Sequence, residues 1–270
     1  AAPTRLLFDA AVAVRIGELP VVVGSAADIQ HLASAKHVQD RLLRLNPAHM
    51  PFLFPEVFLR KSAGFDVLIG NPPWKEVVPE ELKFWASKSP GLKGVEPGER
   101  KRQVELTKVE RPDLVAEFKD LSEGFNVVRA ALVKGPYPGM GVGDPDLYKA
   151  FAWRNVQLLA ASGRAGILLP RSALTAKGAA DWRRHIVGQR LLSEVVTLAN
   201  TGHWAFDHVD GRYQIGLITI GPSRDDAMRL YGPFHAMAEM DHGMDHPTLL
   251  EFSEILRWGE NCVIPAFSSA

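Results

Sequence analysis

The chain has 270 residues, 46% of them hydrophobic, with 31 basic and 31 acidic side chains and a single cysteine. That length and apolar content bury a substantial core as one domain with room for a small appendage, while the balanced charge counts against an independent DNA binder, whose grip comes largely from phosphate contacts and shows as a basic surplus. Cys262 alone forms no internal disulfide, which favours an intracellular, cytoplasmic setting, and neither a signal peptide nor a run long enough to span a bilayer is visible.

Residues 1–18, rich in Ala, Leu and Val, read as a helix broken by Gly17 and Pro20. The stretch 28–45 (DIQHLASAKHVQDRLLRL) has apolar residues at helical spacing, with Asp28 as its cap. Residues 65–69 are a short buried strand that runs into Asn71-Pro72-Pro73-Trp74, and 75–134 form a long charged insertion with helical pieces. A glycine-rich stretch, GMGVGD (139–144), precedes a helix over 146–161, a strand over 166–169, a helix over 178–190 and strands over 194–199 and 213–220. Beyond 222 the pattern fades. Strand–helix alternation predicts an α/β fold, its sheet mainly parallel with helices on both faces. The short gap between the last two strands, without helical pattern, fits an antiparallel edge pair. The expected division is a core over 1–221, with 75–134 as a helical insertion, and a C-terminal extension over 222–270 leading to a further domain.

Asn-Pro-Pro-aromatic at the end of a strand gathers an amide, a carbonyl and a flat ring around one small pocket. That set suits methyl transfer to an amino group held in a plane, above all the exocyclic amine of adenine. Such a nitrogen is a poor nucleophile because its lone pair is delocalised into the ring. The side-chain amide oxygen of Asn71 and the backbone carbonyl of Pro72 can both accept hydrogen bonds from the NH2, favouring the pyramidal geometry in which the lone pair points at an electrophilic methyl. Positioning and electrostatics then supply most of the help, with no base of unusual pKa. Pro72 and Pro73 stiffen the turn by fixing φ and pushing the preceding residues to extended geometry. Trp74 would stack on a base that has left the duplex. A Pro-Pro pair after a buried strand is often only a loop, but the carboxyl end of a strand is where open α/β sheets bind ligands.

On these residues the chain resembles a known family. FDVLIGNPPW is similar to the catalytic motif of S-adenosylmethionine-dependent amino-methyltransferases, particularly the adenine-specific DNA methyltransferases of restriction and phage-defence systems. The approach FLFPEVFLRKSAGFDVLIGNPPW resembles the large bifunctional members, DPDLYKAFAWRNVQLLAASGRAGILLPRSAL the family's next block, and LLSEVVTLAN with GRYQIGLITI its closing strand pair. The likeness covers roughly residues 50 to 221. It implies a Rossmann-like methyltransferase sheet, S-adenosyl-L-methionine as cofactor, double-stranded DNA with a flipped adenine as substrate, and further domains or subunits of a larger restriction-modification or phage-defence protein, with no membrane partner. The family's Gly-rich cofactor loop lies upstream of its motif. Here VVVGSAAD (21–28) has one glycine and GMGVGD lies on the wrong side, so the cofactor-binding half is expected to be incomplete.

Other residues carry two readings each. Asp146 and Tyr148 are either a helix N-terminal acid and a core aromatic, or, as the resemblance implies, the turn against cofactor and target base. Arg171, after the strand end Leu169-Pro170, either reaches a phosphate or is a surface arginine. Lys75, adjoining the motif, leads a run of insertion lysines that either tracks a DNA backbone or forms a solvated face laced with ion pairs. His242 and His246 are four apart, but Gly243 and Pro247 disfavour one helical face and no metal is expected. No G-x-S-x-G elbow supports a hydrolase. Two alternatives stay open: a protein-glutamine or RNA amino-methyltransferase, and a non-catalytic fragment that binds DNA or partners.

Overall fold

A computed structural model describes residues 3–21, 24–143, 145–223 and 225–267. Val22 and Val23 of the VVVGSAAD stretch and Asp144 of the glycine-rich stretch lie outside the described residues. The chain divides into two compact units, residues 1–47 with 77–135, and residues 48–76 with 136–270.

The first unit is helical. It contains Pro3–Ile16, Ala26–Ala33, Lys36–Leu45, Glu81–Lys88, Pro97–Glu110 and Pro112–Val133. The stretch read as one helix over 28–45 is two, because Ser34 and Ala35 break it. Its cap is Ser25, whose hydroxyl accepts from the Asp28 backbone while Asp28 reaches back as the third helical residue of a capping box. Small and branched side chains (Ala10, Ala13, Val38, Leu42) fill one core, and Trp85, Leu92 and Leu114 with Phe84 and Phe118 fill a second. The charges of the insertion are largely spent inside this unit: Lys88 pairs with Glu117 at 2.7 Å, Lys108 with Glu81 at 3.2 Å, and Arg41 with Glu18 and Glu123 at 3.2 and 3.1 Å.

The second unit is built on a six-stranded sheet. Its strands are β1 (Phe65–Gly70), β2 (Leu159–Pro170), β3 (Leu192–Ala199), β4 (Gln214–Ile220), β5 (Ala227–Phe234) and β6 (Thr248–Glu251), in spatial order β1-β2-β4-β3-β5-β6. β1, β2, β3 and β5 run one way, and β4 and β6 the other. The α/β sheet expected from the sequence is therefore present, with β6 as an antiparallel edge strand. The β3/β4 pair is antiparallel as expected but interior, because β4 inserts between β2 and β3. β1 and β6 form the two edges.

Alternation along the strands sorts side chains onto two faces. Ile167 and Leu169 of β2, Val195 of β3, Ile218 and Ile220 of β4 and Met228 of β5 pack with Trp153, Trp182, Ile186 and Phe252 from helices Leu147–Leu158, Ala180–Gly188 and Phe252–Arg257. On the opposite face Val196, Leu198, Ile215 and Tyr231 meet Trp204, Phe206 and Val209 of the β3–β4 loop and Met240 of helix Met237–Gly243. Each fully buried Leu or Ile contributes about 1.5–3 kcal/mol over leaving it exposed. β1 differs, since Val67 and Ile69 are 65% and 86% exposed. It enters beside β2 through Gly64, at φ +113°, where a Cβ would overlap the backbone of Leu159 and Ala160.

The boundary expected at 221 is not where the chain divides. Residues beyond it supply β5 and β6, and residues 1–47 cluster with the insertion rather than with the sheet. The tail is also bound in by Arg183, which is fully buried and donates to the carbonyls of Ala173, Ala176, Asn261 and Cys262 at 2.7–3.0 Å. Burial pushes its pKa down to about 10. No described helix is long and apolar enough to cross a membrane. Arg183→Met should strand those carbonyls and cost about 2–4 kcal/mol in chemical denaturation, with early proteolysis within 259–267 as a second readout.

Candidate active site

Parallel pairing of β1 with β2 sets Gly70 opposite Ile167, and antiparallel pairing of β2 with β4 sets Pro170 opposite Ile215. The carboxyl ends of β1 and β2 and the start of β4 therefore meet at one margin of the sheet. Three stretches distant in sequence emerge there: Asn71 to Glu76, Arg171 with Ser172, and Tyr213 with Gln214.

The motif loop is anchored at its middle and open at its tip. Pro72 is buried, whereas Asn71 and Pro73 are exposed. The Asn71 side chain makes no hydrogen bond among the described residues, so its amide is available to a ligand. Trp74 is half-buried, packs against both sheet cores, and donates its indole N–H to the Leu168 carbonyl in a long 3.4 Å bond. That contact fixes the indole plane relative to β2. The exposed Tyr213 ring lies 6.4 Å from it, centroid to centroid, at 42°.

Beyond Trp74 the loop is stitched to the next helix. The Leu147 N–H donates to the Lys75 carbonyl at 2.9 Å, and Glu76 and Asp146 form an antiparallel bridge. Lys75 is exposed beside the motif. Asp146 is the N-cap of helix Leu147–Leu158 and pairs with the buried Lys149 at 3.5 Å. Tyr148 is 3% exposed and belongs to the main core. Burial raises its hydroxyl pKa, partly offset by a hydrogen bond with Ser172. The structure thus brings Asn71, Trp74, Lys75, Asp146 and Arg171 to one region, with Tyr148 behind them as packing.

Part of the glycine-rich stretch is packed against residues 178–181. A Cβ on Gly178 would overlap the Val142 carbonyl and crowd the Lys149 ammonium, and one on Gly139 would lie 3.0 Å from Asp181. Those glycines let the loop close onto residues 178–181. Gly143, in contrast, has open space where a Cβ would sit.

Two residues that sequence reasoning passed over shape the site. Tyr213 provides a second ring beside Trp74. Asn200, fully buried, holds the loop that carries it: its amide donates to the Phe206 and Val209 carbonyls at 3.0 and 2.9 Å and accepts from the backbone of Ala205 and Phe206. Its own N–H donates to the Tyr213 carbonyl at 3.2 Å. Farther along the loop, hydrogen bonding from Arg212 holds the Asp210 carboxyl far below the usual carboxylate range. A polar amide directly after the apolar strand LSEVVTLA was the available signal for Asn200.

No protein-family model matches the chain, and neither does any curated protein sequence. Solved structures similar to it include the methyltransferase subunit of the type I restriction-modification system of Streptococcus thermophilus, at 16% identity over 47% of this chain and 32% of that one, with a TM-score of 0.36. A DrdV–DNA complex is similar at 14% identity over 76% of this chain and 16% of that one, with a TM-score of 0.33. A modification subunit ascribed to a type I restriction enzyme of Vibrio vulnificus YJ016 is similar at 13% identity over 91% of this chain and 60% of that one, with a TM-score of 0.32. The chain spans less than two thirds of each of those chains.

Asn200→Ala removes a buried amide that satisfies several backbone groups. It should lower stability by about 2–4 kcal/mol in urea denaturation and speed hydrogen exchange over 200–213 more than elsewhere in the sheet unit.

Proposed function

We propose that this chain is the catalytic part of a DNA amino-methyltransferase acting on the exocyclic amine of adenine. The observation that carries the reading is the motif loop itself: an exposed, unbonded Asn71 amide beside a buried Pro72, next to a half-buried Trp74 whose plane is set by Leu168. The resemblance of FDVLIGNPPW to the catalytic motif of such enzymes supports it.

In this reading the adenine leaves the duplex, because its amine cannot be reached within the stack. Trp74 takes one face of the base, and Tyr213 offers a second aromatic surface; such stacking is worth about 1–3 kcal/mol per base. The Asn71 side-chain oxygen and the Pro72 carbonyl accept the two N–H bonds of the amine. The lone pair is thereby withdrawn from the ring and directed to one side of the base plane. S-adenosylmethionine supplies a methyl group on a sulfonium, whose departure leaves a neutral thioether. As nitrogen takes up the methyl carbon it becomes positive, and the dipoles of Asn71 and Pro72 stabilise that charge where it develops. They also hold the proton that the nitrogen must then release to water. Lys75 and Arg171 are the cations assigned to the phosphates of the same strand.

For the methyl donor, Asp146 at the mouth of the site is the candidate contact and Tyr148 supports the helix that carries it. Gly139 is packed against residues 178–181 while Gly143 faces open space, so the described glycines of that stretch present only part of a donor site. That observation favours, as a second reading, a chain that holds the base but needs another segment or subunit for turnover. Calorimetric titration with S-adenosylmethionine separates the two.

Nucleoside mass spectrometry of DNA from cells expressing the parent gene tests the proposal. Methyladenine should appear with the intact gene and fall by about 10²–10³-fold with Asn71→Ala, the scale for loss of one preorganised polar group. The unfolding midpoint should not change, because the side chain is exposed and unbonded. Equal methylation in both would sink the assignment, and expressed protein with no methyladenine would move the substrate to protein or RNA. Tyr213→Ala should weaken binding of a 2-aminopurine strand and reduce its quenching.

A further inference from the structure

A buried arginine nitrogen at the sheet margin is left without a partner. Nη1 of Arg171 is sealed from solvent and meets no hydrogen-bond acceptor, and no carboxylate pairs with the side chain among the described residues. The backbone around it is fully engaged: its N–H donates to the Gln214 carbonyl at 3.0 Å, and its carbonyl accepts from the Leu174 N–H and the Thr175 hydroxyl. The position is therefore fixed while the guanidinium is not satisfied. Burial lowers its pKa with no opposing attraction.

Arg183 shows that this fold can satisfy a buried guanidinium when structure alone requires it. Every one of its nitrogens is met by a main-chain carbonyl. Arg171 lies close enough to Arg183 for the two like charges to repel. A planar fork with an idle donor beside a second arginine suits an oxyanion, and phosphate matches its geometry with two parallel bonds. Pro170, immediately before it, ends the same strand whose Leu168 carbonyl holds Trp74.

We infer that Arg171 is a half-buried seat for one phosphodiester, the one flanking the base held by Asn71 and Trp74, and that it sets the register of the strand in the site. The inference rests on the DNA reading above. That seat gives a chain with no net positive charge one strong contact at the place where register matters.

The test is fluorescence anisotropy with the full chain and a short labelled single strand containing one adenine, titrated over a range of salt concentrations. Arg171→Gln should weaken binding several-fold and reduce the salt slope by about 0.7, the value for one lost phosphate contact on a single strand. Arg171→Lys should recover the slope but only part of the affinity, since charge returns without the fork. Strands with a single neutral methylphosphonate provide a readout that does not depend on any variant folding. One linkage beside the adenine should weaken the wild type as much as Arg171→Gln does and should not weaken that variant further. Unchanged slope and an intact methylphosphonate profile in Arg171→Gln would overturn the inference. So would loss of S-adenosylmethionine binding with the slope retained, which would assign the fork to a carboxylate. A wild-type chain that binds no strand at all would instead bring down the DNA reading, and this seat with it.

Discussion

The double pairing of β2 is the constraint on which the rest depends. This one strand is held parallel to β1 on one side and antiparallel to β4 on the other. Parallel pairing points the carboxyl ends of β1 and β2 to the same margin. Antiparallel pairing brings the beginning of β4 to the same margin. Residues near 71, 171 and 213 converge for that reason alone. The heavy burial of Ile167, Leu169, Ile215 and Ile218 secures the register, because a slip of one residue would turn every one of those side chains to the wrong face.

Charge is used in two ways in this chain. In the helical unit cations and anions are close in number and near in space, so most of the field is spent locally on exposed pairs of small individual worth. In the sheet unit a few charged groups are buried, and each must be met individually. Arg183 is met by carbonyls and ties the C-terminal stretch to the helices. Lys149 is met by Asp146. Arg171, only half-buried, keeps one sealed nitrogen without a partner, and it emerges at the same margin as the exposed amide and the aromatic pair. A composition of equal acids and bases hides this unevenness, since net charge says nothing of where the unmatched charges lie.

The strands that carry the site were legible from sequence because they are short, β-branched and bounded by Gly, Pro or Asn. FDVLIG and QIGLITI fall where their pattern puts them, and the helix over 180–188 does too. β2 is longer than its legible core, because Ser162 and Gly163 in AASGRA read as a break that the sheet absorbs as a register irregularity opposite β1. β5 escaped notice since AMRLYGPF carries a Gly-Pro pair that reads as a turn. β4 was read at an edge because sequence spacing reports that two strands are neighbours, not what lies on their far sides. In the candidate site, Asn71 and Trp74 stand out in the sequence by type and position. Tyr213 and Asn200 do not, since a lone aromatic and a lone amide in a loop have many uses, and only the fold shows which ring is brought beside which.

The open edge of β1 has a thermodynamic corollary. The strand that leads into Asn71 is an edge strand among the described residues and exposes Val67 and Ile69 on one face, the kind of edge that readily accepts another strand. Any strand that adds there ends its ladder next to the motif loop and restrains the loop's entry. If such pairing tightens the grip on a base by some factor, the base tightens the pairing by the same factor, because the coupling is reciprocal. Assembly at that edge and occupancy of the site would then be two readings of one equilibrium.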